Sequence, residues 1–287
     1  VSLDADQYAI SHDPEPITWN LPIMHWSPSS LSMLQRCPRQ WQERYIFGRK
    51  ERPAEALFTG TVVHATFEHN FRQKIDSHED IAIVDLLDWY GEDAFPRLLL
   101  EEQEKAGQDI FWESSPDEAR ARGRVLITEY QSSVAPRIQP VDVELKIAAD
   151  FGAPVPVEGR FDVDRASSVI DFKTGRMAVK EPKEAWRIQA AVYAHAQQKP
   201  VEFHTLSATK GGKVTVLTPL ESEALLVHPT RQEREHQART IRALSDYACF
   251  LMATIGPEEP WPTMGVFHSW ACNYCGYRPA CPAWSST

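Results

Sequence analysis

The segment GRFDVDRASSVIDFKTG (159–175) constrains this 287-residue chain more than any other stretch. Two runs of branched and aromatic residues flank polar turn residues, the pattern of a β-hairpin. Side chains alternate faces along a strand, so Asp171 and Lys173 point the same way across Phe172, and Asp162 meets them from the preceding strand. Two acids and one ammonium therefore converge where Val169-Ile170 gives way to charge and the strand opens into Thr174-Gly175. Two carboxylates can hold Mg²⁺ or Mn²⁺, hard cations that keep several waters, and a lysine beside them can orient or deprotonate water and offset phosphate charge. The arrangement suits phosphodiester hydrolysis. Isolated Asp-x-Lys pairs are common on solvated strand edges, so the hairpin setting is what gives this one weight.

A formal net charge of −10 runs against an anionic substrate, because nucleic acids attract basic surfaces. Its distribution resolves part of the conflict. Residues 79–118 hold 13 Asp/Glu and two Lys/Arg, leaving the remainder at a net +1. Basic residues gather at Arg36, Arg39, Arg44, Arg49, Lys50 and Arg52 and again at Arg231, Arg234, Arg239 and Arg242. They suit either a phosphate-tracking groove or ordinary helix solvation. No run approaches 18 apolar residues and VSLDADQYAISHD lacks the order of a secretory signal, so the expectation is a soluble, cytoplasmic protein with no membrane partner.

Helix and strand periods alternate along the chain. Ser27 caps and Pro28 opens a helix carrying Leu31, Leu34, Trp41 and Tyr45, which Pro38 interrupts just after Cys37. The stretch TVVHATFEHNFRQKI sets Val63, Phe67 and Phe71 on one helix side, with His64 and Glu68 on the adjacent side. Two or more helices are expected over 79–135, strands at 141–147, 155–164, 169–173, 200–207 and 213–218, and helices at 182–198 and 229–255. Residues 1–24 and the proline-rich tail read as irregular. The result is an α/β chain. Within one domain over 1–287, the parts are N-terminal helices (25–78), an acidic helical insertion (79–135), a catalytic sheet and helix (141–218), and a C-terminal helix and tail (229–287).

Five cysteines make no disulfide framework in a chain without a secretion signal. Cys249 lies among apolar neighbours and reads as a packed thiol. Cys272, Cys275 and Cys281 form a Cys-x2-Cys-x5-Cys run, and Cys37 lies far upstream in QRCPRQW.

Taken in order, SPSSLSMLQRCPRQWQERY, GTVVHATFE, GRFDVD, VIDFKTG, QAAVY and the three-cysteine tail resemble the RecB-like nucleases of the PD-(D/E)XK superfamily. The likeness is to their iron–sulfur branch, which contains the CRISPR-associated Cas-four nucleases and AddB-type nuclease domains. It implies a restriction-endonuclease-like α/β core: a central mixed sheet flanked by helices, with the insertion and a C-terminal iron–sulfur segment added. It implies that Asp162 and Asp171 bind metal with His64 and the Phe172 carbonyl, that Lys173 is the catalytic lysine, and that Gln189 and Tyr193 form the family's Gln-x3-Tyr motif. Glu68 is placed to orient His64. Glu144 resembles an acidic position on the strand before the hairpin. Asp164 either supports the site or bonds the turn. The four cysteines resemble a split [4Fe-4S] site, and four soft sulfurs equally suit Zn²⁺.

The function so implied is a Mg²⁺- or Mn²⁺-dependent DNA exonuclease acting on single-stranded ends, 5′ to 3′, in recombination, repair or end processing within a bacterial, archaeal or phage-infected cell. Its rivals are a structure-dependent endonuclease, a CRISPR spacer-processing factor, or a non-catalytic iron–sulfur DNA-binding subunit of a recombination complex. Helicase, recombinase or CRISPR adaptation proteins are the expected partners. No Gly-x4-Gly-Lys-Ser/Thr loop is present, so unwinding powered by ATP falls to another chain.

Overall fold

A computed structural model describes residues 21–209, 211–263, 272, 273 and 275–283. The irregular readings of residues 1–20 and of 264–271, 274 and 284–287 lie outside these. The chain enters through two short helices, α1 (Pro28–Arg36) and α2 (Pro38–Tyr45). Ser27 Oγ accepts the Ser30 N–H at 3.1 Å while Ser30 Oγ accepts the Ser27 N–H at 2.8 Å, a reciprocal cap ahead of the helix-opening proline. Cys37 is extended, as the residue before a proline must be, and separates the two helices.

Helix α3 (Glu55–Ser77) begins six residues before the expected Thr61. Its first residue is buried and anchored: Glu55 Oε2 accepts the Ser114 N–H at 2.7 Å, and Arg122 pairs with Oε1 at 2.5 Å. This tie draws residues 79–135 into the body of the molecule. There, α4 (Ile83–Trp89), a π turn (Tyr90–Ala94) and α5 (Phe95–Ala106) run on into α6 (Pro116–Ser133).

Six strands form one sheet in the order β1-β2-β3-β4-β5, with β6 also on β4. They are β1 (Asp142–Ala149), β2 (Val157–Asp164), β3 (Val169–Gly175), β4 (Val201–Ala208), β5 (Val214–Leu217) and β6 (Leu226–Val227). Strands β1, β2 and β3 are antiparallel neighbours, whereas β3 and β4 are parallel and joined through α7 (Glu184–Gln197). A parallel neighbour requires such a crossover, and α7 is thereby laid on the sheet. Helix α8 (Arg231–Thr254) follows, capped by Thr230 and Glu233.

Apolar layers cover both sheet faces. One joins Phe58, Val62, Phe67 and Phe71 of α3 and Ile127 and Tyr130 of α6 to Val163, Ile170 and Phe172. The other joins Leu31, Leu34, Tyr193, Ile241 and Leu251 to Phe161 and Phe203. Within this second layer Trp41 stacks on Trp261 (5.5 Å between centroids, 7° between planes) and lies 5.5 Å from Trp26. All three rings are buried, so the segments before α1, within α2 and after α8 share one aromatic stack. Among the described residues, no helix is long and apolar enough to cross a membrane.

Helix α6 meets the π turn through Gly123, where a Cβ would lie 2.7 Å from Cζ of the buried Tyr90. The Tyr90 hydroxyl donates to the Arg120 carbonyl at 3.1 Å, so its ring has little room to retreat. Gly123→Ala is expected to destabilise the fold by about 1–3 kcal/mol through overpacking. The check is the urea midpoint at unchanged slope; an unshifted midpoint would contradict this account of the packing.

Candidate active site

The β2–β3 ladder pairs Asp164 with Val169 and Val163 with Ile170. The next rung would pair Asp162 with Asp171, and there the side chain takes over from the ladder. Asp162 Oδ2 accepts the Phe172 N–H at 2.6 Å, so a carboxylate occupies the hydrogen-bonding place of a strand carbonyl. Its other oxygen, Oδ1, lies 3.0 Å from His64 Nδ1 on α3. Helix α3 comes close because Gly60, one turn before His64, has no side chain: a Cβ there would be 2.6 Å from Thr174 Oγ1 at the end of β3.

On β3, Asp171 Oδ1 accepts Gln189 Nε2–H at 2.7 Å, and Oδ2 lies 2.5 Å from the Lys173 ammonium. Lys173 Nζ donates to Gln189 Oε1 at 2.7 Å. One glutamine side chain thus holds the acid through its amide nitrogen and the lysine through its oxygen. Gln189 Nε2 also donates to the Tyr193 hydroxyl at 2.6 Å, and that hydroxyl in turn donates to the Arg160 carbonyl. The four-residue spacing on α7 is what lets both side chains reach this point. Gly159 admits the tyrosine, since a Cβ there would be 2.9 Å from Tyr193 Cε1.

Burial and charge divide the two acids. Burial pushes the Asp162 carboxyl up, but His64, the Phe172 N–H and Lys173 together outweigh it and hold the group below its usual range. Burial also pushes Asp171 up; Lys173 opposes this, Asp162 reinforces it, and the net is a raised carboxyl. Burial draws the His64 imidazole down, yet the neighbouring Asp162 and Asp171 leave it above its ordinary value. Burial above all, with the negative charge of Asp171, keeps the Tyr193 phenol a neutral donor.

Glu144 stands opposite Asp162 across the β1–β2 pair, between Val143↔Val163 and Leu145↔Phe161. Its φ of 57° is left-handed, rare for a residue with a side chain and of the kind that accumulates at functional sites. Burial and then Asp162 push its carboxyl up to about 7, while Arg160, 3.0 Å away, pulls against them. Two further candidate acids take other partners, Asp164 the one that bonds the turn. Glu68 pairs with Arg72 at 2.5 Å, not with His64, and Asp164 pairs with Lys199 at 2.6 Å beside the β2–β3 turn.

Sequence spacing gave no sign of the cluster behind Phe172. There Tyr130 Oη lies 2.7 Å from His204 Nδ1, His204 Nε2 lies 3.2 Å from Glu202, and the Tyr130 ring meets Phe172 edge-on at 5.3 Å. Of the first basic group, Arg39 and Arg49 both turn to the buried Glu43 at 2.5 Å, a structural use of charges that equally suited a phosphate groove.

A divalent ion can be tested against these residues. Asp171 Oδ2 is buried and accepts no hydrogen bond, and its one ion-pair partner among the described residues is the Lys173 ammonium. Two carboxylates and an imidazole form an oxygen-dominated set suited to Mg²⁺ or Mn²⁺. Among the described residues, no three His, Cys, Asp or Glu side chains are gathered in metal-holding geometry. That includes the cysteines. None of the five forms a disulfide, and burial, followed by Cys37 and Cys281, raises the Cys272 thiol. Burial raises Cys275 too, with Glu51, Cys37 and Cys281 adding to it. Cys37 and Cys281 thus each act on both Cys272 and Cys275. Their segment docks on residues 49–51: the Tyr277 hydroxyl donates to the Arg49 carbonyl at 2.9 Å, and a Cβ on Gly276 would sit 2.9 Å from Glu51 Cγ.

The model of the PD-(D/E)XK nuclease superfamily matches residues 25–282. No curated protein matches the chain. Among solved structures, a candidate exonuclease from Eubacterium rectale is 13% identical, with 83% of this chain and 84% of that chain covered and a TM-score of 0.48. The protein SSO0001 is 18% identical, with 76% and 96% covered and a TM-score of 0.36.

The raised Glu144 carboxyl fixes the sign of a pH effect. A group that binds its proton more tightly when folded supports the fold below its unfolded value and loses that support as pH rises through its folded value. In EDTA, Glu144→Gln is expected to match wild type below pH 4.5 and to gain stability over it as pH rises through about 7, by about 3 kcal/mol at most and by less where solvent screens the charge. Urea melts across this range are the measurement. A stability gap that does not change with pH would show that Glu144 is not strained by its charge.

Proposed function

The chain belongs to the PD-(D/E)XK nuclease superfamily, and on that premise we propose that it is a metal-dependent deoxyribonuclease that trims single-stranded DNA ends. The observation that carries this reading is the joint hold of Gln189 on Asp171 and Lys173, which sets an ammonium and a buried carboxylate side by side. Asp162, Asp171, His64 and the Phe172 carbonyl would hold Mg²⁺ or Mn²⁺, which supplies Lewis-acid stabilisation of charge on the phosphate. Lys173 orients the attacking water and offsets phosphate charge through its ammonium at Nζ. Gln189 keeps that nitrogen aimed, and Tyr193 keeps Gln189 aimed. His64 holds Asp162 through Nδ1, so Nε2 is the ring nitrogen that would be available to a metal. Because the same imidazole also binds a proton more readily than usual, acid and metal compete for it.

Cys37, Cys272, Cys275 and Cys281 are proposed to carry a [4Fe-4S] cluster that fastens the first helices to the tail. The common effect of Cys37 and Cys281 on Cys272 and Cys275 and the docking of Tyr277 on Arg49 support a common site. Such a group acts on folding and not on the chemistry. Protein purified without oxygen should carry about four iron and four labile sulfide per chain; stoichiometric zinc without sulfide would overturn the cluster.

Digestion of 5′- and 3′-labelled linear strands beside closed circles, with Mg²⁺, Mn²⁺ or EDTA, tests the enzyme reading and reports polarity. Linear strands should be degraded and circles spared. Asp171→Ala and Lys173→Ala should each lower the rate by at least about 10²-fold while leaving the circular dichroism spectrum unchanged. Wild-type digestion by Lys173→Ala would reject the assigned chemistry.

A further inference from the structure

Lys173 also has aromatic neighbours. Its ammonium lies 5.7 Å from the ring centroid of Trp186 and 5.7 Å from that of Phe203, and the two rings are themselves 5.4 Å apart. Trp186 is one helical turn before Gln189 on α7, so the face of the helix that holds the lysine and acid continues into this indole. The ring is half-buried, with Phe203 beneath part of it. A second ammonium, Lys183, lies 5.6 Å from the same ring.

The surrounding segment differs in charge from the chain as a whole. From Lys173 to Arg187 there are five Lys/Arg and two Asp/Glu, in a protein whose net charge is −10; Lys173 pairs with Asp171 and Arg176 with Glu55 and Glu113, which leaves Lys180, Lys183 and Arg187 at the rim. Lys180 and Lys183 are exposed, and among the described residues neither makes an ion pair. Met177, 80% exposed, adds an apolar contact at the same rim. The larger cavity between the start of α3 and the cysteine segment, about 560 Å³, offers less to a polyanion. Its Lys50 and Arg52 are spent on the Lys105, Asp109 and Ile110 carbonyls, and Glu51, Glu102 and Glu113 line it as well.

We infer that the rim from Met177 to Arg187 is the seat of the nucleic-acid strand next to the scissile phosphate, with Trp186 as the platform on which one base stacks and Lys183 as the contact to the adjoining phosphate. Stacking on an aromatic ring beside cations is the sequence-tolerant way to hold a single strand, because every base has a π-face. A base paired in a duplex does not offer that face, so the platform selects unpaired DNA. The inference rests on the nuclease reading and names the substrate of that same site.

The test separates binding from cleavage. Anisotropy of a labelled oligothymidylate in EDTA reads binding alone; digestion in Mg²⁺ reads turnover. Trp186→Ala is expected to weaken binding about 10-fold and raise KM similarly, and Trp186→Phe to restore most of the loss. Lys183→Gln should lower the slope of log Kd against log salt by about 0.7. An oligonucleotide lacking the base beside the cut should be a poorer substrate for wild type and an equal one for Trp186→Ala. The inference is overturned if Trp186→Ala binds as wild type does, if Trp186→Phe is as weak as Trp186→Ala, or if Lys183→Gln leaves the salt slope unchanged. Should wild type bind the strand but digest nothing, the nuclease reading fails while the binding results still judge this one.

Discussion

The carboxylate of Asp162 is the interaction around which the site is assembled. One of its oxygens takes the N–H of Phe172, and the other meets the imidazole of His64. It therefore ties together β2, β3 and α3, the three elements whose side chains must converge. Backbone pairing at this rung would have zipped β2 and β3 further and left no opening between them. With the side chain supplying the missing acceptor, the strands part without stranding the Phe172 amide, a loss that in a buried place costs about 1–3 kcal/mol. The burial that makes the carboxylate expensive also makes its two partners effective, since charge acts more strongly where water is excluded.

Much of this was legible from residue type and spacing. The serine-proline entry to α1, the break at Pro38, the four-residue period of α3 and the hairpin acids all have local causes, and local causes survive in a sequence. The Gln189 and Tyr193 pair was legible as a shared helix face, although the double grip of Gln189 on Asp171 and Lys173 was not. What stayed hidden depends on partners distant in the chain. Glu68 and His64 are neighbours on α3, yet Arg72 captures the first and Asp162 the second. Arg39 and Arg49 looked like surface charge and prove to be the counterions of the buried Glu43. His204, inside a strand with no distinguishing pattern, acquires its role from Tyr130 and Glu202 across the fold.

The acidic residues 79–135 show how composition and architecture part company. Their charge is carried on outward faces, while Tyr90, Ile127 and Tyr130 turn inward to join Phe67, Phe71 and Phe172 over the sheet. The segment that departs furthest from the charge expected of a nucleic-acid enzyme thus supplies part of the apolar layer behind its acids. The anchoring of Glu55 by Ser114 and Arg122 runs the same way, fastening the first turn of the helix that bears His64.

The left-handed backbone at Glu144 bears on alignment within the sheet. Val143 and Val163 face the α3 side, whereas Leu145 and Phe161, one position beyond Glu144 and Asp162, face the other. Ordinary alternation would put residues two apart on the same side, so the parity of both strands inverts at a single rung. A ladder without such a mark can slide by two residues and still bury the same kind of side chain. Here any slide sets the two inversions out of phase and turns apolar residues toward a layer they are not shaped to fill. The residue that bends the backbone beside the acids therefore also acts as a lock on strand registration.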